Sequence, residues 1–170
     1  SRLADHSLIV TEAPTRARHS RGQSLPDLVA LRSGIGLVFP DGVALPASEA
    51  EVAAVIAFAR ERDATVIPWG GGTSVVGHVN PGAGPRPVVT LSLARLTALR
   101  RFDDQSRLAT FEAGVSGPAL ESQLRTVGHT LGHFPQSFEL STLGGWVSTR
   151  SSGQQSRGYG RIEDLFAGGE

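Results

Sequence analysis

The stretch that decides the fold is residues 65–77, which read Thr65-Val66-Ile67-Pro68-Trp69-Gly70-Gly71-Gly72-Thr73-Ser74-Val75-Val76-Gly77. Its first residues form a short β-branched run, which predicts a strand. Three successive glycines then remove every Cβ from the turn, so that consecutive backbone N–H groups can converge on an anion. The Thr73 and Ser74 hydroxyls add donors. The stretch indicates either a nest for a phosphate-like group or a glycine-rich turn that only reverses the chain.

Two common phosphate-binding patterns do not fit this stretch. A Walker A loop needs Gly-Lys-Ser/Thr after its glycines, and the chain has none there. A dinucleotide-binding GxGxxG turn opens a helix, whereas no helix pattern follows Gly77. If the loop binds a diphosphate, its backbone amides and hydroxyls must do so without a lysine.

The residues around the loop predict a small parallel α/β layer from about residue 35 to 95. We expect one buried strand at residues 35–39, which residues 43–45 continue. Ser48 begins a capping box, and apolar residues at helical spacing follow up to Arg62. A strand, a helix and the strand at residues 65–68 in this order predict a parallel pair with a right-handed crossover. Residues 87–91 predict a further buried strand.

The N-terminal residues lack a period and contain several arginines. We therefore expect residues 1–23 to form an extended, solvated arm that includes His19 and Arg21. Ser24 and Asp27 then form a capping signal for a short helix that ends near Gly34. The domain prediction is an arm at 1–23 and a single folded domain at 24–170.

Beyond residue 95 the pattern changes to antiparallel sheet. Residues 99–102 and 108–111 flank a turn and predict a hairpin. A helix is predicted from Ser116 to Gly128, followed by extended structure at 129–134. We expect loop from Pro135 onward, with one short cluster of apolar residues, an apolar knot, at residues 143–147. The fold class is therefore α+β.

Composition excludes several functional classes. The chain has 16 basic residues, all arginine, against 16 acidic ones, so no net charge attracts it to nucleic acid. It contains no cysteine, which removes disulfides, thiolate metal sites and a cysteine nucleophile. No apolar run approaches the roughly 20 residues of a membrane helix, and no targeting segment is visible. We expect no metal site and a cytoplasmic location.

A second stretch rich in hydroxyls and glycine runs from Pro135 to Gly153. Its polar groups are mostly hydrogen-bond donors and neutral acceptors, with one cation at Arg150 and one carboxylate at Glu139. It is either a solvated surface loop or a segment that holds a polar ligand. Glu139 is either a buried acceptor or a ligand contact.

Four motifs in order resemble a known family. They are P-x-G-G-G-T-S at 68–74, E-A-G-x-x-G at 112–117, S-x-E-x-S-T-x-G-G-W-x-S-T-R at 137–150, and Y-G-x-I-E-D-L at 159–165. Together they resemble the PCMH-type FAD-binding domain of the vanillyl-alcohol-oxidase flavoenzymes, and within that superfamily most resemble alkyldihydroxyacetonephosphate synthases (alkylglycerone-phosphate synthases). The resemblance implies a small parallel α/β subdomain, an incomplete antiparallel α+β subdomain, and FAD between them.

The resemblance also implies which residues contact FAD. The glycine loop would bind the diphosphate through Pro68, Trp69, Gly70, Gly71, Gly72, Thr73 and Ser74. A second segment would lie along the phosphate and ribityl region through Gln136, Ser137, Phe138, Glu139, Leu140, Ser141 and Thr142, with Gly144 and Gly145 allowing close approach of the main chain. A third contact would come from Thr149, Arg150, Ser151 and Ser152. Where the family often has Asp before Ser137, this chain has Gln136.

The resemblance implies non-covalent FAD, because the histidine that some relatives carry inside the loop is replaced here by Trp69 and Thr73. His78, His129 and His133 are interpreted as surface or hydrogen-bonded structural residues. In such enzymes the active-site His and Tyr residues lie C-terminal to everything in this chain. The catalytic residues are therefore unknown, and we expect the chain to be part of a longer polypeptide.

Three functions remain open from the sequence. The first is the FAD-binding portion of an enzyme similar to alkylglycerone-phosphate synthase, a transferase of ether-lipid biosynthesis that exchanges the acyl group of acyl-dihydroxyacetone phosphate for a fatty alcohol. The second is an FAD-linked oxidoreductase, an oxidase or dehydrogenase of 2-hydroxy acids, on the same cofactor domain. The third is a non-catalytic FAD- or anion-binding module. The expected partner is a small-molecule, lipid-like substrate, and the full-length protein is expected to form a homodimer.

Overall fold

The chain folds into two compact units, which meet in sequence between Arg95 and Leu96. The computed structural model describes Leu3 and residues 6–169. The first unit contains a mostly parallel sheet with helices, and the second contains an antiparallel pair with helices. The predicted α+β class, with a change of sheet type near residue 95, is confirmed.

The sheet of the first unit has four strands in the order β1-β2-β4-β3. They are β1 (Ile9–Val10), β2 (Gly42–Ala44), β3 (Thr65–Trp69) and β4 (Val88–Ser92). β4 pairs in parallel with both β2 and β3, while β1 pairs antiparallel with β2. The strands on either side of the predicted crossover are thus parallel, but β4 lies between them.

Three helices complete the first unit: α1 (Ala13–Arg18), α2 (Leu25–Ser33) and α3 (Glu49–Glu61). α2 has the predicted capping box, in which Ser24 and Asp27 exchange hydrogen bonds, and it ends at Gly34 with φ 72°. At α3 the Ser48 hydroxyl accepts from the Glu51 amide at 3.2 Å. α3 is the longest helix in the described residues, and none of them is long and apolar enough to cross a membrane.

The core of the first unit lies between α3 and the sheet. Val55 of α3 packs with Ala44 of β2 and with Val89 and Leu91 of β4. Every residue of β4 is buried, as expected for an inner parallel strand covered on both faces.

The second unit begins with the predicted hairpin, β5 (Leu99–Asp103) and β6 (Leu108–Phe111). α4 (Gly117–Arg125) follows and buries Leu120 and Leu124. The chain then forms α5 (Leu143–Thr149), α6 (Ser156–Tyr159) and α7 (Ile162–Leu165). The core of this unit is centred on α4 and Trp146.

The prediction of an extended arm at 1–23 is wrong for the described part of that segment. Ile9 pairs with Ala44 as part of β1, and residues 13–18 form α1. Leu3 and Ile9 belong to the hydrophobic core, so this segment covers apolar surface that would otherwise face water. Residues 1, 2, 4 and 5 of the predicted arm lie outside the described residues.

Two predicted extended segments form no strand. Residues 35–39 are irregular, and Ile35 is 77% exposed, because the chain turns at Gly34 and Gly36 with left-handed φ values of 72° and 70°. The strand lies instead at β2. Residues 129–134 are also irregular and contain Gly132 with φ 76°.

The prediction of loop from Pro135 onward is wrong in part, because this region contains α5, α6 and α7. The apolar knot at 143–147 is the beginning of α5. Glycine at two positions of a seven-residue helix hides the helical pattern, since glycine disfavours helix by about 1 kcal/mol relative to alanine.

Candidate functional site

The glycine loop, residues 70–77, leaves the carboxyl end of β3. The Trp69 carbonyl accepts from the Leu93 amide at 3.0 Å, so β3 remains joined to the chain after β4 up to the first glycine. No helix follows before β4, as the sequence predicts. Ligands of open α/β sheets bind at the carboxyl ends of the strands, which is where this loop lies.

The loop presents free backbone donors. The amide N–H groups of residues 70–75 donate no hydrogen bond to any described atom of the chain. All of these residues are exposed or half-buried, so a ligand can reach the loop. A run of unpaired amides in a turn is the donor arrangement that binds phosphate oxygens, and it fits a diphosphate without needing a cationic side chain.

The structural reason for glycine differs among Gly70, Gly71 and Gly72. Gly72 has φ 67°, and a Cβ there would lie 2.5 Å from Cζ2 of Trp69, so the fold itself requires glycine. Gly70 and Gly71 do not have positive φ values, so left-handed backbone geometry does not account for glycine there. Gly71 is exposed and lies in the middle of the residues whose amides are free.

The Trp69 side chain points into the first unit and is 7% exposed. Its ring packs against the His19 ring at a centroid distance of 5.2 Å. His19 is half-buried, and its Nδ1 lies 2.8 Å from the Thr15 carbonyl oxygen. The prediction that His19 is solvated is therefore wrong: α1 places it against the residue that precedes the glycines.

The two hydroxyls of the loop differ in their contacts. The Ser74 hydroxyl accepts weakly from the Val76 amide at 3.4 Å and lies 3.5 Å from Nδ1 of His78. The Thr73 hydroxyl has no partner among the described residues. His78 is exposed, in agreement with its interpretation as a surface residue.

In the second unit, residues 136–142 form a tight turn around one carbonyl. The Ser137 carbonyl oxygen accepts from the Leu140 amide at 3.0 Å and from both the amide and the hydroxyl of Ser141 at 2.8 Å. The Ser141 hydroxyl in turn accepts from Nε1 of the buried Trp146 at 2.6 Å. The proton of the Ser141 hydroxyl is thus used inside the protein.

The side chains that this turn leaves accessible are those of Gln136, Glu139 and Leu140. Leu140 is 66% exposed. Glu139 is also exposed, so the prediction that it is a buried acceptor is wrong.

The next residues begin α5. Thr142 is its N-cap and accepts from the Gly145 amide at 3.4 Å. The Gly144 amide donates to the Ala113 carbonyl at 2.8 Å, and a Cβ at Gly144 would lie 2.8 Å from the Ala113 Cβ. Gly144 is thus required for packing against the E-A-G-x-x-G motif. Gly145 is less restricted, since its nearest neighbour would be the Thr142 hydroxyl at 3.3 Å.

The end of α5 carries the third predicted segment. The Thr149 hydroxyl donates to the Gly145 carbonyl at 2.7 Å. Arg150 has φ 54°, caps the helix and forms an exposed ion pair with Glu163 at 3.3 Å. Ser152 is exposed, and its hydroxyl has no partner in the described chain.

His133 joins the second and third segments. It is 1% exposed, its Nε2 lies 2.7 Å from the Ser151 hydroxyl, and its ring packs edge-on against Trp146. Burial lowers the pKa of His133 below 6.5, so the ring is neutral at pH 7. Its interpretation as a hydrogen-bonded structural residue is confirmed. Around Trp146 the structure therefore brings together residues of the second and third predicted segments.

Sequence reasoning missed the residues that hold the glycine loop from behind. The Gln23 amide donates to the Ser74 carbonyl at 2.6 Å, and the side chain of Asn80 bonds both Gly22 and the buried Asp27. Arg21, predicted as solvated, pairs with Asp27 at 3.5 Å. The capping signal at Asp27 was visible in the sequence, but its second use at the loop was not.

The described residues contain no group of three His, Asp or Glu side chains placed to hold a metal ion. Both regions leave hydrogen-bond donors accessible: the amides of residues 70–75 in the glycine loop, and the side chains of Gln136 and Ser152 in the second unit.

Comparison with protein families identifies the domain. Residues 40–170 match the family model described as FAD binding domain. The chain belongs to this FAD-binding family. Membership implies FAD as the ligand of the domain and confirms the PCMH-type fold.

Similar proteins narrow the family further. The chain is 41% identical to the alkyldihydroxyacetonephosphate synthase of Dictyostelium discoideum over 88% of its own length and 24% of that protein. It is 41% identical to the synthase of Caenorhabditis elegans over 91% of its own length and 26% of that protein. A solved structure of an alkyldihydroxyacetonephosphate synthase superposes with a TM-score of 0.89 at 39% identity, covering 95% of this chain and 31% of the other. The resemblance to these synthases is confirmed, and the chain spans about a quarter of the length of the curated relatives.

Proposed function

We propose that the chain binds FAD non-covalently, with the diphosphate on the glycine loop, as the cofactor portion of an enzyme of the alkyldihydroxyacetonephosphate synthase type. The observation that supports this proposal is the run of free amides at residues 70–75 after a parallel strand. These donors, with the Thr73 hydroxyl, match the oxygen-rich, anionic diphosphate. Residues 70–77 contain no histidine, and we expect no covalent bond to the flavin.

The second unit is proposed to bind the same cofactor through its accessible groups. Gln136 and Ser152 offer side-chain donors, and Arg150 offers a charge that Glu163 already partly balances. Ser141, Thr149 and Ser151 support this surface through their hydrogen bonds inside the protein. Bound FAD would supply the electron chemistry, whereas these residues would bind and orient it.

A Gly71→Val substitution tests the loop assignment. The branched side chain would occupy the approach to the free amides, and we expect FAD affinity to fall by about 100-fold, equivalent to about 2.8 kcal/mol. Gly82→Val is the matched control, because Gly82 is exposed and has no atom within 4 Å of its Cβ position. Titration of flavin-free protein with FAD, followed by fluorescence, measures both. Equal affinity of the two variants would contradict the assignment.

Acid precipitation of the FAD-loaded protein tests the binding mode. Release of all flavin into the supernatant is expected, and yellow, acid-stable precipitate would contradict non-covalent binding.

The proposed reaction is the exchange of the acyl group of acyl-dihydroxyacetone phosphate for a fatty alcohol. Its support is the identity to synthases from two organisms. When the protein that contains this chain is assayed with acyl-dihydroxyacetone phosphate and a fatty alcohol, the ether-linked product should form. Turnover of D-2-hydroxy acids instead would favour the FAD-linked dehydrogenase, and FAD binding without turnover of either would favour a non-catalytic module.

A further inference from the structure

A buried polar network lies behind the glycine loop and joins it to the N-terminal segment of the chain. Its centre is the pair Asp27 and Asn80, in which Nδ2 of Asn80 donates to Oδ1 of Asp27 at 2.7 Å. Asn80 Oδ1 accepts from the Gly22 amide at 3.2 Å. The Asn80 amide donates to the Gly77 carbonyl at 3.0 Å, so Asn80 closes the end of the loop.

We propose that Asp27 and Asn80 are positioning residues for the FAD diphosphate: they fix the N-terminal segment against the glycine loop and so preorganise the free amides at residues 70–75. The inference rests on the proposed function, because it assigns a role to residues that hold the proposed diphosphate site. Neither residue is proposed to contact the cofactor itself.

Both carboxylate oxygens of Asp27 have partners within the protein. Its side chain is 1% exposed. Oδ2 accepts from the Ser24 amide at 3.2 Å and from the Ser24 hydroxyl at 2.6 Å, while Oδ1 receives Asn80 and faces Arg21 at 3.5 Å. A buried carboxylate is tolerated only with such partners, and removing one partner leaves an unpaired buried polar group that destabilises the fold.

The network reaches the loop through two adjacent residues. The Gln23 amide donates to the Ser74 carbonyl at 2.6 Å. Gly22 lies so close to the same carbonyl that a Cβ at Gly22 would clash with it. The Ser74 carbonyl is therefore held from behind by the chain at 22–23, in the same stretch as the unpaired amides.

This arrangement has a physical consequence for binding. A glycine-rich loop loses more conformational entropy when it becomes ordered than a loop of other residues does. Without a ligand, its unpaired amides form no hydrogen bonds that would offset this entropy loss. If protein contacts order the loop beforehand, binding no longer carries that cost and affinity rises. The buried pair supplies this order from residues 27 and 80, outside the loop itself.

An exchange of the two side chains tests the proposal. In Asp27→Asn, every orientation of the two side-chain amides leaves a donor facing a donor. The new NH2 group faces either the Ser24 amide or the Asn80 NH2 group, and turning Asn80 to relieve the second contact gives up the bond from Gly22. In Asn80→Asp, two carboxylates lie at hydrogen-bond distance. In the double variant D27N/N80D, the new amide at position 27 donates to the new carboxylate at position 80, which still accepts from the Gly22 amide. The hydrogen bond between positions 27 and 80 is thus restored, with the negative charge moved to position 80 and the pairing of Arg21 with position 27 lost.

Two measurements on each variant distinguish the possible failures. Heteronuclear NOE values of the amides at 70–75, in flavin-free protein, report loop order. Each single variant should lower these values and weaken FAD binding by about tenfold or more, as expected for one broken buried contact. The double variant should restore loop order and bring the affinity to within about threefold of wild type.

A control separates positioning from general stability. Val55→Ala removes buried side-chain volume in the core of the same unit, and should destabilise the apoprotein without lowering NOE values at 70–75. Equal FAD affinity in wild type and both single variants, unchanged loop order in them, or a double variant no better than the weaker single variant would each overturn the proposal. If wild type bound no FAD while loop order still followed the exchange, the positioning of the loop would stand and the proposed function would fail.

Discussion

Replacing Ser141 by alanine should lower the free energy of unfolding of the second unit. The Ser141 hydroxyl donates to the Ser137 carbonyl at 2.8 Å and accepts from Nε1 of Trp146 at 2.6 Å. Losing the first bond costs about 1 kcal/mol, and leaving the buried indole N–H unpaired costs about 1–3 kcal/mol. The free energy of unfolding should therefore fall by about 2–4 kcal/mol.

A double-mutant cycle isolates the indole contribution. In a Trp146→Phe background the N–H is absent, so Ser141→Ala should cost only the bond to Ser137, about 1 kcal/mol. Urea unfolding followed by circular dichroism measures all four proteins. An equal cost of Ser141→Ala in both backgrounds would refute the reasoning, because it would show that the Trp146 N–H does not depend on this hydroxyl.

Three further predictions concern protonation and packing. Burial raises the pKa of Asp27, but hydrogen bonds from Ser24 and Asn80 and the charge of Arg21 outweigh this effect and hold the pKa below 3.8. The stability that Asp27 contributes is therefore present above pH 3.8 and is lost as the pH falls below that value. Acid unfolding curves of wild type and Asp27→Asn should differ in that range. Burial also lowers the pKa of His133, so stability should decline as pH falls below 6.5, and a His133 resonance titrating at 6.5 or above by NMR would contradict this. Gly144→Ala should lower the unfolding free energy by about 1–3 kcal/mol through its clash with Ala113, with partial recovery in Gly144→Ala/Ala113→Gly measured by thermal unfolding.

Elements with a complete local signal could be predicted from the sequence. α3 has a capping serine and apolar residues at helical spacing, and Val55 from that pattern is in the core. The hairpin of β5 and β6 has two short runs around a polar turn. In these segments local preference and tertiary packing favour the same structure, which is why the prediction succeeds.

Elements that depend on distant contacts could not be predicted. β1 is only two residues long and is ordered by pairing with β2, which lies far along the chain. α5 contains a Gly-Gly pair that disfavours helix, and packing of Gly144 against Ala113 compensates for it. Residues 35–39 have the composition of a strand but pair with no strand of the described chain, so they remain irregular.

The candidate site shows the same division. The glycine loop was recognisable because its chemistry lies in one contiguous stretch of backbone. The residues that support it from behind, Asp27 and Asn80, lie 53 positions apart in the sequence, and neither has a motif of its own at the loop. Polar networks of this kind follow from the fold and are visible only when the chain is folded.

The backbone amide resonances of the flavin-free protein, followed while inorganic pyrophosphate and separately FAD are added, report most directly on the diphosphate site. We predict that the amides of residues 70–75 shift downfield with both, as hydrogen bonds to phosphate oxygen form. Shifts confined to other residues, or binding of FAD that leaves these amides unchanged, would contradict the claim that this loop binds the diphosphate.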